Sequence, residues 1–300
     1  MFQVTVLGSG ASLPTLQRQT TAVAVQREGD LYLLDCGEGT QLQWRRAGLR
    51  FSKLRAICIS HLHGDHVNGL VGLLQTLSLS GREEALDVIG PEGIKGLVDA
   101  ARTHVGLRLS YPLDVREAEG GELVGGDGYS LRCAPLDHGP PTLGFALAES
   151  ARPGRFDVQA ARRLGIPEGP SFGRLQRGET VILPDGSEVQ PGQVLGEPRP
   201  GSSVAYCVDT RPCDGALELA RGADLFICDS TFTEELTLEA RRRGHSTARE
   251  AAEMAVRAEA RRLLLIHVSA RYHDPRPLLE EAAGVFPHVE VAHDLMEIQV

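Results

Sequence analysis

The stretch Ile59-Ser60-His61-Leu62-His63-Gly64-Asp65-His66-Val67-Asn68-Gly69-Leu70 decides how the chain is read. Three histidines and an aspartate fall within residues 61–66. The run before them, Arg55-Ala56-Ile57-Cys58-Ile59, has the apolar character of a short buried strand. Val67 to Leu77 is apolar at helical spacing. The cluster therefore sits on a strand-to-helix turn, where open α/β sheets place their ligands. Alternation at the strand end lets His61 and His63 point the same way. Asp65 and His66 lie at the helix start and aim differently, while Gly64 allows the tight backbone between the pairs. One turn can thus offer two pairs of ligands to two adjacent cations. Neutral imidazole and carboxylate suit zinc and other borderline divalent metals.

The 300 residues suffice for one large α/β domain or two small ones. The net charge of −9 excludes a generic polyanion binder, so a nucleic-acid function needs a local basic patch. The six cysteines, at 36, 58, 133, 207, 213 and 228, form no Cys-x-x-Cys pair, and most lie in apolar runs. They read as buried reduced thiols and not as a disulfide frame or a zinc knuckle. No apolar run approaches the length of a membrane span. The chain opens directly into Phe2-Gln3-Val4-Thr5-Val6-Leu7, without a basic leader and long apolar core. The expectation is a cytoplasmic enzyme of bacterial type with no membrane partner.

In chain order, residues 2–7 read as a strand closed by Gly8-Ser9-Gly10-Ala11, a glycine loop that lacks the dinucleotide fingerprint. Thr21–Gln26 and Leu31–Asp35 alternate as a hairpin, and a helix follows near Thr40–Arg46. Asp35, at a strand end, is either an outer partner for a metal-binding histidine or a turn carboxylate. A helix at about 67–79, a strand at Leu86–Ile89, a helix at about 93–105 and strand-like runs from Leu113 to Ala134 come next. His138 ends an apolar strand in the turn Pro135-Leu136-Asp137-His138-Gly139-Pro140-Pro141, as a ligand from a distant strand should.

Residues 150–198 differ in character, being dense in proline and glycine with little strand pattern. Between 151 and 178 six arginines face only Asp157 and Glu168, a local charge of +4. The bland reading is a solvated loop, or a helix from Asp157 to Leu164 with surface arginines. A structureless segment of this length inside a compact domain is functional or disordered, and a basic Gly/Pro-rich arm suits a phosphate backbone. Beyond it, Asp209 ends the strand Ser203–Val208 and can bridge two metals; Asp229, ending Leu225–Cys228, is a weaker candidate of the same type. His245 precedes a helix opened by the capping box of Thr247 and Glu250, a position suited to an anion. His267 ends the buried run Leu263–Val268.

At the quoted motif the chain resembles the metallo-β-lactamase superfamily. That resemblance implies a four-layer αββα sandwich of class α/β, with a two-metal site at the sheet edge. The distributed ligands then divide into His61, His63 and His138 for one ion and Asp65, His66 and His267 for the other, with Asp209 between them. Two metals so placed suit in-line displacement at phosphorus.

The likeness is closest to the tRNase Z (ribonuclease Z) family in its short single-domain form. It rests on Ser60-His61-Leu62-His63-Gly64-Asp65-His66, Leu136-Asp137-His138-Gly139, Asp209-Thr210-Arg211-Pro212, Gly244-His245-Ser246-Thr247 and His267-Val268-Ser269-Ala270-Arg271-Tyr272. The stretch Gly169-Pro170-x-x-Gly173-x-Leu175-x-x-Gly178 resembles the family's glycine-proline exosite. The resemblance implies one nuclease domain over 1–300 carrying a flexible arm at 150–198. It also implies two zinc ions per subunit with manganese as a substitute, a homodimer, and precursor tRNA held at its elbow by the arm. Under it Asp65 accepts the proton of the attacking water, His245 stabilises the transition state or protonates the leaving oxygen, and Ser269 and Arg271 touch phosphate. Products would be a tRNA 3′-hydroxyl and a trailer with a 5′-phosphate. Two positions depart from the pattern. Leu16 and Gln19 stand in the loop Pro14–Gln19 where the family carries Lys and Asn to spare tRNAs ending in CCA, and Val208 precedes Asp209 where Gly is familiar. The rival readings are a small-molecule phosphodiesterase of the same superfamily and an RNA-binding scaffold on an inactive fold.

Overall fold

The computed structural model describes residues 1–126 and 128–300. They form two compact units, one comprising Met1–Gly126, Ser130–Ala148 and Ser202–Val300, the other built around Glu149–Gly201.

The N-terminal half of the larger unit supplies β1 (Phe2–Gly8), β2 (Ala22–Arg27), β3 (Asp30–Leu34), β4 (Leu54–Cys58), β5 (Leu86–Gly90) and β6 (Leu113–Glu117). Its helices are α1 (Thr40–Arg46), α2 (Gly64–Val67), α3 (Leu70–Leu79) and α4 (Ile94–His104). Next come β7 (Gly121–Gly126), β8 (Tyr129–Pro135) and β9 (Leu143–Glu149), so the run expected from Leu113 to Ala134 is the three strands β6, β7 and β8, with residue 127 outside the described residues. The smaller unit holds α5 (Val158–Arg163), α6 (Pro170–Gln176) and the short pair β10 (Val181–Ile182) and β11 (Glu188–Val189). The chain then returns through β12 (Ser203–Cys207), α7 (Asp214–Ala220), β13 (Leu225–Asp229), α8 (Thr237–Arg243), α9 (Ala248–Arg257), β14 (Leu263–Ile266), α10 (Arg276–Ala283), β15 (Val289–Val291) and β16 (Glu297–Gln299).

One seven-stranded sheet has the order β16-β1-β2-β3-β4-β5-β6 and the other β15-β14-β13-β12-β9-β8-β7. Each is mixed. β3 through β6 run parallel, as do β12 through β15, while β1, β2 and β9 pair antiparallel. Strands covered on both faces read as continuous apolar runs, and the central ones here do. In β3, Leu31 and Leu33 join a cluster with Trp44 of α1, Leu70, Leu73 and Leu77 of α3 and Val98 of α4. In β13 and β14, Phe226, Cys228, Leu263 and Leu265 pack on Ala216 of α7, Ala251, Ala252 and Ala255 of α9 and Leu278 of α10. The alternate residues Tyr32, Leu34, Tyr206, Ile227 and Ile266 are fully buried on the opposite faces, and Tyr206 hydrogen-bonds across from one sheet to the end of β3. The result is helix, sheet, sheet, helix: the expected αββα sandwich.

Two expectations are revised. The helix anticipated at 67–79 is broken into α2 and α3 at Asn68-Gly69. Gly69 donates its N–H to Cys36 O, and a Cβ there would lie 2.1 Å from Gly37 O, so the backbone comes too close to another segment for any other residue. The 150–198 segment is not structureless. Ala161, Ile166, Leu175, Val181, Val189 and Val194 form their own buried cluster, with Phe156 and Phe172 ring to ring at 4.8 Å. Nor is it basic as a unit: over 149–201 seven arginines are matched by seven carboxylates. Arg152, Arg162, Arg163, Arg174 and Arg177 each lie within ion-pair range of one of them.

Candidate metal centre

The parallel strands β4, β12, β13 and β14 all end at one edge of the sandwich, and their C-terminal loops carry the polar residues. His61 and His63 follow β4, with His63 in the extended position just before α2 and Asp65 and His66 on its first turn. His138 follows β8, Asp209 follows β12, His245 joins α8 to α9 and His267 follows β14. Asp35, Asp209 and His267 hold left-handed backbone conformations, with φ of 59°, 49° and 62°. Non-glycine residues are held there only where surrounding structure over-determines them, at a cost of about 1–3 kcal/mol each.

These side chains converge. Ligand atoms of His61, His63, His138 and Asp209 lie within 4.8 Å of one another, and so do those of Asp65, His66 and His267. The two groups share Asp209. Its Oδ1 lies 3.2 Å from His66 Nε2 and 3.1 Å from His267 Nε2. Its Oδ2 lies 3.5 Å from His61 Nε2 and 3.6 Å from His138 Nε2. One carboxylate oxygen faces each histidine set, as a carboxylate between two cations must. Asp65 Oδ2 completes one set, at 3.5 Å from His66 Nε2 and 3.3 Å from His267 Nε2.

The outer partners assign the tautomers. Ser60 Oγ donates its only proton to Asp35 Oδ2 at 2.8 Å, so at 3.0 Å it accepts from His61 Nδ1. Thr231 Oγ1 likewise donates to Asp229 Oδ1 at 2.7 Å and accepts from His267 Nδ1 at 2.8 Å. His66 Nδ1 donates to Asp35 Oδ2 at 2.8 Å and His138 Nδ1 donates to Gly244 O at 2.8 Å. Gly244 is in the left-handed region and a Cβ on it would meet His138 Nδ1 at 2.7 Å, so this approach requires glycine. In each of the four rings the proton points outward and the Nε2 lone pair points into the cluster. His61 Nε2 and Asp209 Oδ1 are buried with no hydrogen-bond partner among the described residues. Orphaned buried acceptors are costly, and a divalent cation satisfies them. The donor set therefore fits a metal.

For His61 protonation agrees with this, whereas at His66 desolvation is outweighed by Asp209 and then Asp35, which raise the ring well above the ordinary imidazole range while no cation offsets them. Burial, reinforced by neighbouring His66, pushes His61 down to about 2, which keeps it neutral. Desolvation alone would raise the Asp209 carboxyl, but the imidazoles of His267, His66 and His61 hold it well below the usual carboxylate range. Asp65 is held low in the same way by His267 and His66 against its own desolvation.

His245 differs from the other histidines. Its Nδ1 lies 2.8 Å from Asp229 Oδ2. Burial opposes its charge, yet Asp229 and then Asp209 outweigh burial and raise it to about 9. It is therefore an imidazolium at neutral pH, a proton donor beside groups that accept. Asp229, expected as a weaker metal candidate, is spent elsewhere: Oδ2 also accepts from Thr210 N at 3.1 Å and Oδ1 from Thr231 N at 2.9 Å. Arg271 Nε donates to Ser269 Oγ at 3.2 Å, and its guanidinium lies 4.8 Å over the Phe232 ring, which in turn is 6.0 Å from the His245 ring.

Asp35, left open between two roles, is a buried outer partner: it accepts from His66, from Ser60 N at 2.6 Å and Ser60 Oγ, and from Tyr206 OH at 2.7 Å. Sequence reasoning missed Tyr206, Ser60 and Thr231 in these roles, and it missed Ser12, whose N–H holds Asp65 Oδ2 at 2.7 Å. In the loop Pro14–Gln19, Leu16 is wholly exposed, while Arg18 turns inward to Ser9 Oγ at 2.7 Å and Ala292 O at 2.6 Å. Asp294 ties the same loop down through Ser9 and Gln19 N.

Residues 2–96 match a family model described as Anti-Pycsar protein Apyc1, and residues 183–268 match one described as Beta-lactamase superfamily domain. Over its whole length the chain is 47% identical to the Ribonuclease Z of Salinibacter ruber, of which it covers 94%. It is 44% identical to the Ribonuclease Z of Methanosarcina acetivorans, again over its whole length and over 98% of that protein. Among solved structures, the short form of human tRNase Z superposes with a TM-score of 0.72 at 25% identity, over 99% of each chain.

Proposed function

Because the chain belongs to the ribonuclease Z family, we propose that it is a zinc-dependent endoribonuclease that removes the 3′ trailer from precursor tRNA. The observation that carries this reading is the division of Asp209, whose two oxygens face two separate histidine sets. His61, His63 and His138 would hold one zinc ion, Asp65, His66 and His267 the other, and Asp209 would bridge them. Zinc bound there would supply Lewis acidity to a water and to the phosphate.

The chain's own residues do the rest. Asp65, its carboxylate aimed by the Ser12 N–H on Oδ2, takes a proton from the attacking water. The water oxygen bonds to phosphorus as the bond to the tRNA 3′ oxygen breaks. His245, charged and oriented through Nδ1 by Asp229, gives its Nε2 proton to that leaving oxygen. Products are a tRNA with a 3′-hydroxyl and a trailer with a 5′-phosphate. Ser269 and Arg271, beside Phe232, are placed to touch the phosphate backbone. The 150–198 segment is the tRNA exosite, working in a cytoplasmic homodimer on the elbow of the same tRNA. With most of its arginines paired and its net charge balanced, that grip depends on shape and hydrogen bonds more than on net charge.

The test is cleavage of a 3′-extended precursor tRNA by the zinc-loaded protein, with the cut mapped on matched substrates with and without an encoded CCA. Cutting after the discriminator base of the CCA-less substrate is expected. Absence of cleavage in both, with zinc bound, overturns the reading. With Leu16 exposed and Arg18 engaged inward, cutting of the CCA-bearing substrate as well is the expected consequence of the altered loop.

A further inference from the structure

A second cavity opens beside the metal centre. It has a volume of about 330 Å³ and is lined by Asp137, Arg211, Pro212, Arg241 and Glu250. Each wall is a near neighbour of a site residue. Asp137 precedes His138, Arg211 follows Asp209 by two positions, and an isolated antiparallel bridge joins Asp137 to Arg211. Arg241 lies on the last turn of α8, and the carbonyl of Ala240 next to it accepts from His245 N at 2.9 Å. Glu250 closes the capping box of α9 directly after His245.

The charges in this cavity are unevenly spent. Asp137 Oδ1 accepts from Arg211 Nη2 at 2.7 Å, and Glu250 Oε2 accepts from Thr247 N at 3.0 Å. One oxygen of each carboxylate is therefore engaged. Arg211 Nε is buried and, among the described residues, has no hydrogen-bond partner. On α8, Arg242 and Arg243 both pair with Glu239. Arg241, on the same turn, is exposed and makes no ion pair among the described residues. What remains unspent is one guanidinium and one buried N–H, in a protein of net charge −9. Two donors with no acceptor call for an anion, and guanidinium groups match phosphate oxygens in particular.

We propose that Arg241 and Arg211 bind a phosphate of the substrate strand next to the one being cut, so that this cavity sets the path of the RNA across the metal centre. The inference rests on the nuclease reading above and adds to it a binding position built on a guanidinium and an N–H that are unpaired among the described residues. That phosphate belongs either to the acceptor stem or to the trailer, and the chemistry of recognition is the same for both.

The experiment is steady-state cleavage of precursor tRNA by zinc-loaded wild type, R241Q and R241K over a range of salt, with melting temperature and zinc content as controls. R241Q is expected to raise KM by ~10-fold with kcat kept within about twofold. The slope of log kcat/KM against log salt should flatten by about 0.7, the loss of one single-strand phosphate contact. R241K, which keeps the charge, should recover most of the slope and part of the KM. Single methylphosphonate linkages on either side of the cut then locate the phosphate, since the uncharged linkage should slow wild type and leave R241Q no slower. An effect on the stem side or on the trailer side each supports the proposal and names the source. Unchanged KM and salt slope in R241Q, alongside active wild type, overturns the cavity's role and leaves the nuclease reading standing. An inactive wild type overturns both.

Discussion

The metal centre and the 149–201 unit are opposite solutions to carrying polar residues. At the centre, His61, His66, Asp209 and His267 are buried, and their polar atoms are aimed by buried partners toward one another. Two of those atoms have no hydrogen-bond partner among the described residues. In the 149–201 unit all the charged residues but Glu149 are exposed, and most of the arginines pair with a carboxylate. Exposed pairs of this kind contribute only about 0–1 kcal/mol each. The first arrangement costs stability, with left-handed backbone at Asp35, Asp209 and His267 held in place by the surrounding structure. The second costs little and can be rearranged by a partner. The contrast assigns chemistry to one region and grip to the other, and substitutions in each should separate the two.

The largest effect is expected from Asp209→Asn. The amide offers one oxygen acceptor where two are needed, so the bridge between the two histidine sets is lost. Zinc content measured by mass spectrometry should fall, and cleavage of precursor tRNA should drop by ~10⁴-fold or more, the scale seen when one member of a concerted catalytic unit is removed. Retention of full zinc content together with near-normal cleavage would remove Asp209 from the centre.

Removal of the 149–201 unit should cut less deeply and more selectively. Arg152 and Arg199 are hydrogen-bonded backbone to backbone at 2.8 and 2.9 Å, so the two ends of the segment meet. Replacing residues 153–198 by a short Gly-Ser link should leave the fold intact. Loss of a second, linked binding site lowers kcat/KM for precursor tRNA by ~10²-fold or more. Hydrolysis of bis(p-nitrophenyl) phosphate, which needs only the centre, should remain. Equal loss on both substrates would erase the division of labour between the regions.

The two regions also differed in how far they could be read in advance. Six residues from His61 to His66 announce a metal site because their spacing has no structural purpose, and His138, Asp209 and His267 could be added because each ends an apolar strand. Of what aims them, only Asp35, a strand-end carboxylate open to that role, could be read. Asp35 finds Tyr206 across 171 residues and Thr231 finds His267 across 36. Tyr206 and Thr231 look, in sequence, like ordinary strand or turn residues. The break between α2 and α3 was hidden for the same reason, because its cause is the approach of Gly69 to Gly37. In the 149–201 unit the error ran the other way. Apolar residues spaced as widely as Ala161, Ile166, Leu175, Val181, Val189 and Val194 show no period, so a small core passed for a loop. A charge of +4 over part of it vanished when Glu179, Asp185, Glu188 and Glu197 were included within the folded unit.

The smallest expected effect is the most diagnostic of how the centre is tuned. His245 is driven up to about 9 by Asp229 against the opposing pull of burial. Its charged form is the proton donor, so cleavage should persist below that region and decline as pH rises through it. Asp229→Asn removes the anion and leaves burial, which favours the neutral ring. The alkaline limb of log kcat against pH should then move to lower pH by about 1–3 units, the usual worth of a close opposite charge. At neutral pH this appears as a loss of at most about 10-fold, reached at the upper end of that range, small beside the effect of Asp209→Asn. Zinc beside the ring lowers the limb in both proteins, so the difference between them is the quantity that isolates Asp229. An upward move, or no move, would mean that the anion does not set the charge of His245. Its 2.8 Å contact with Asp229 would then serve orientation alone.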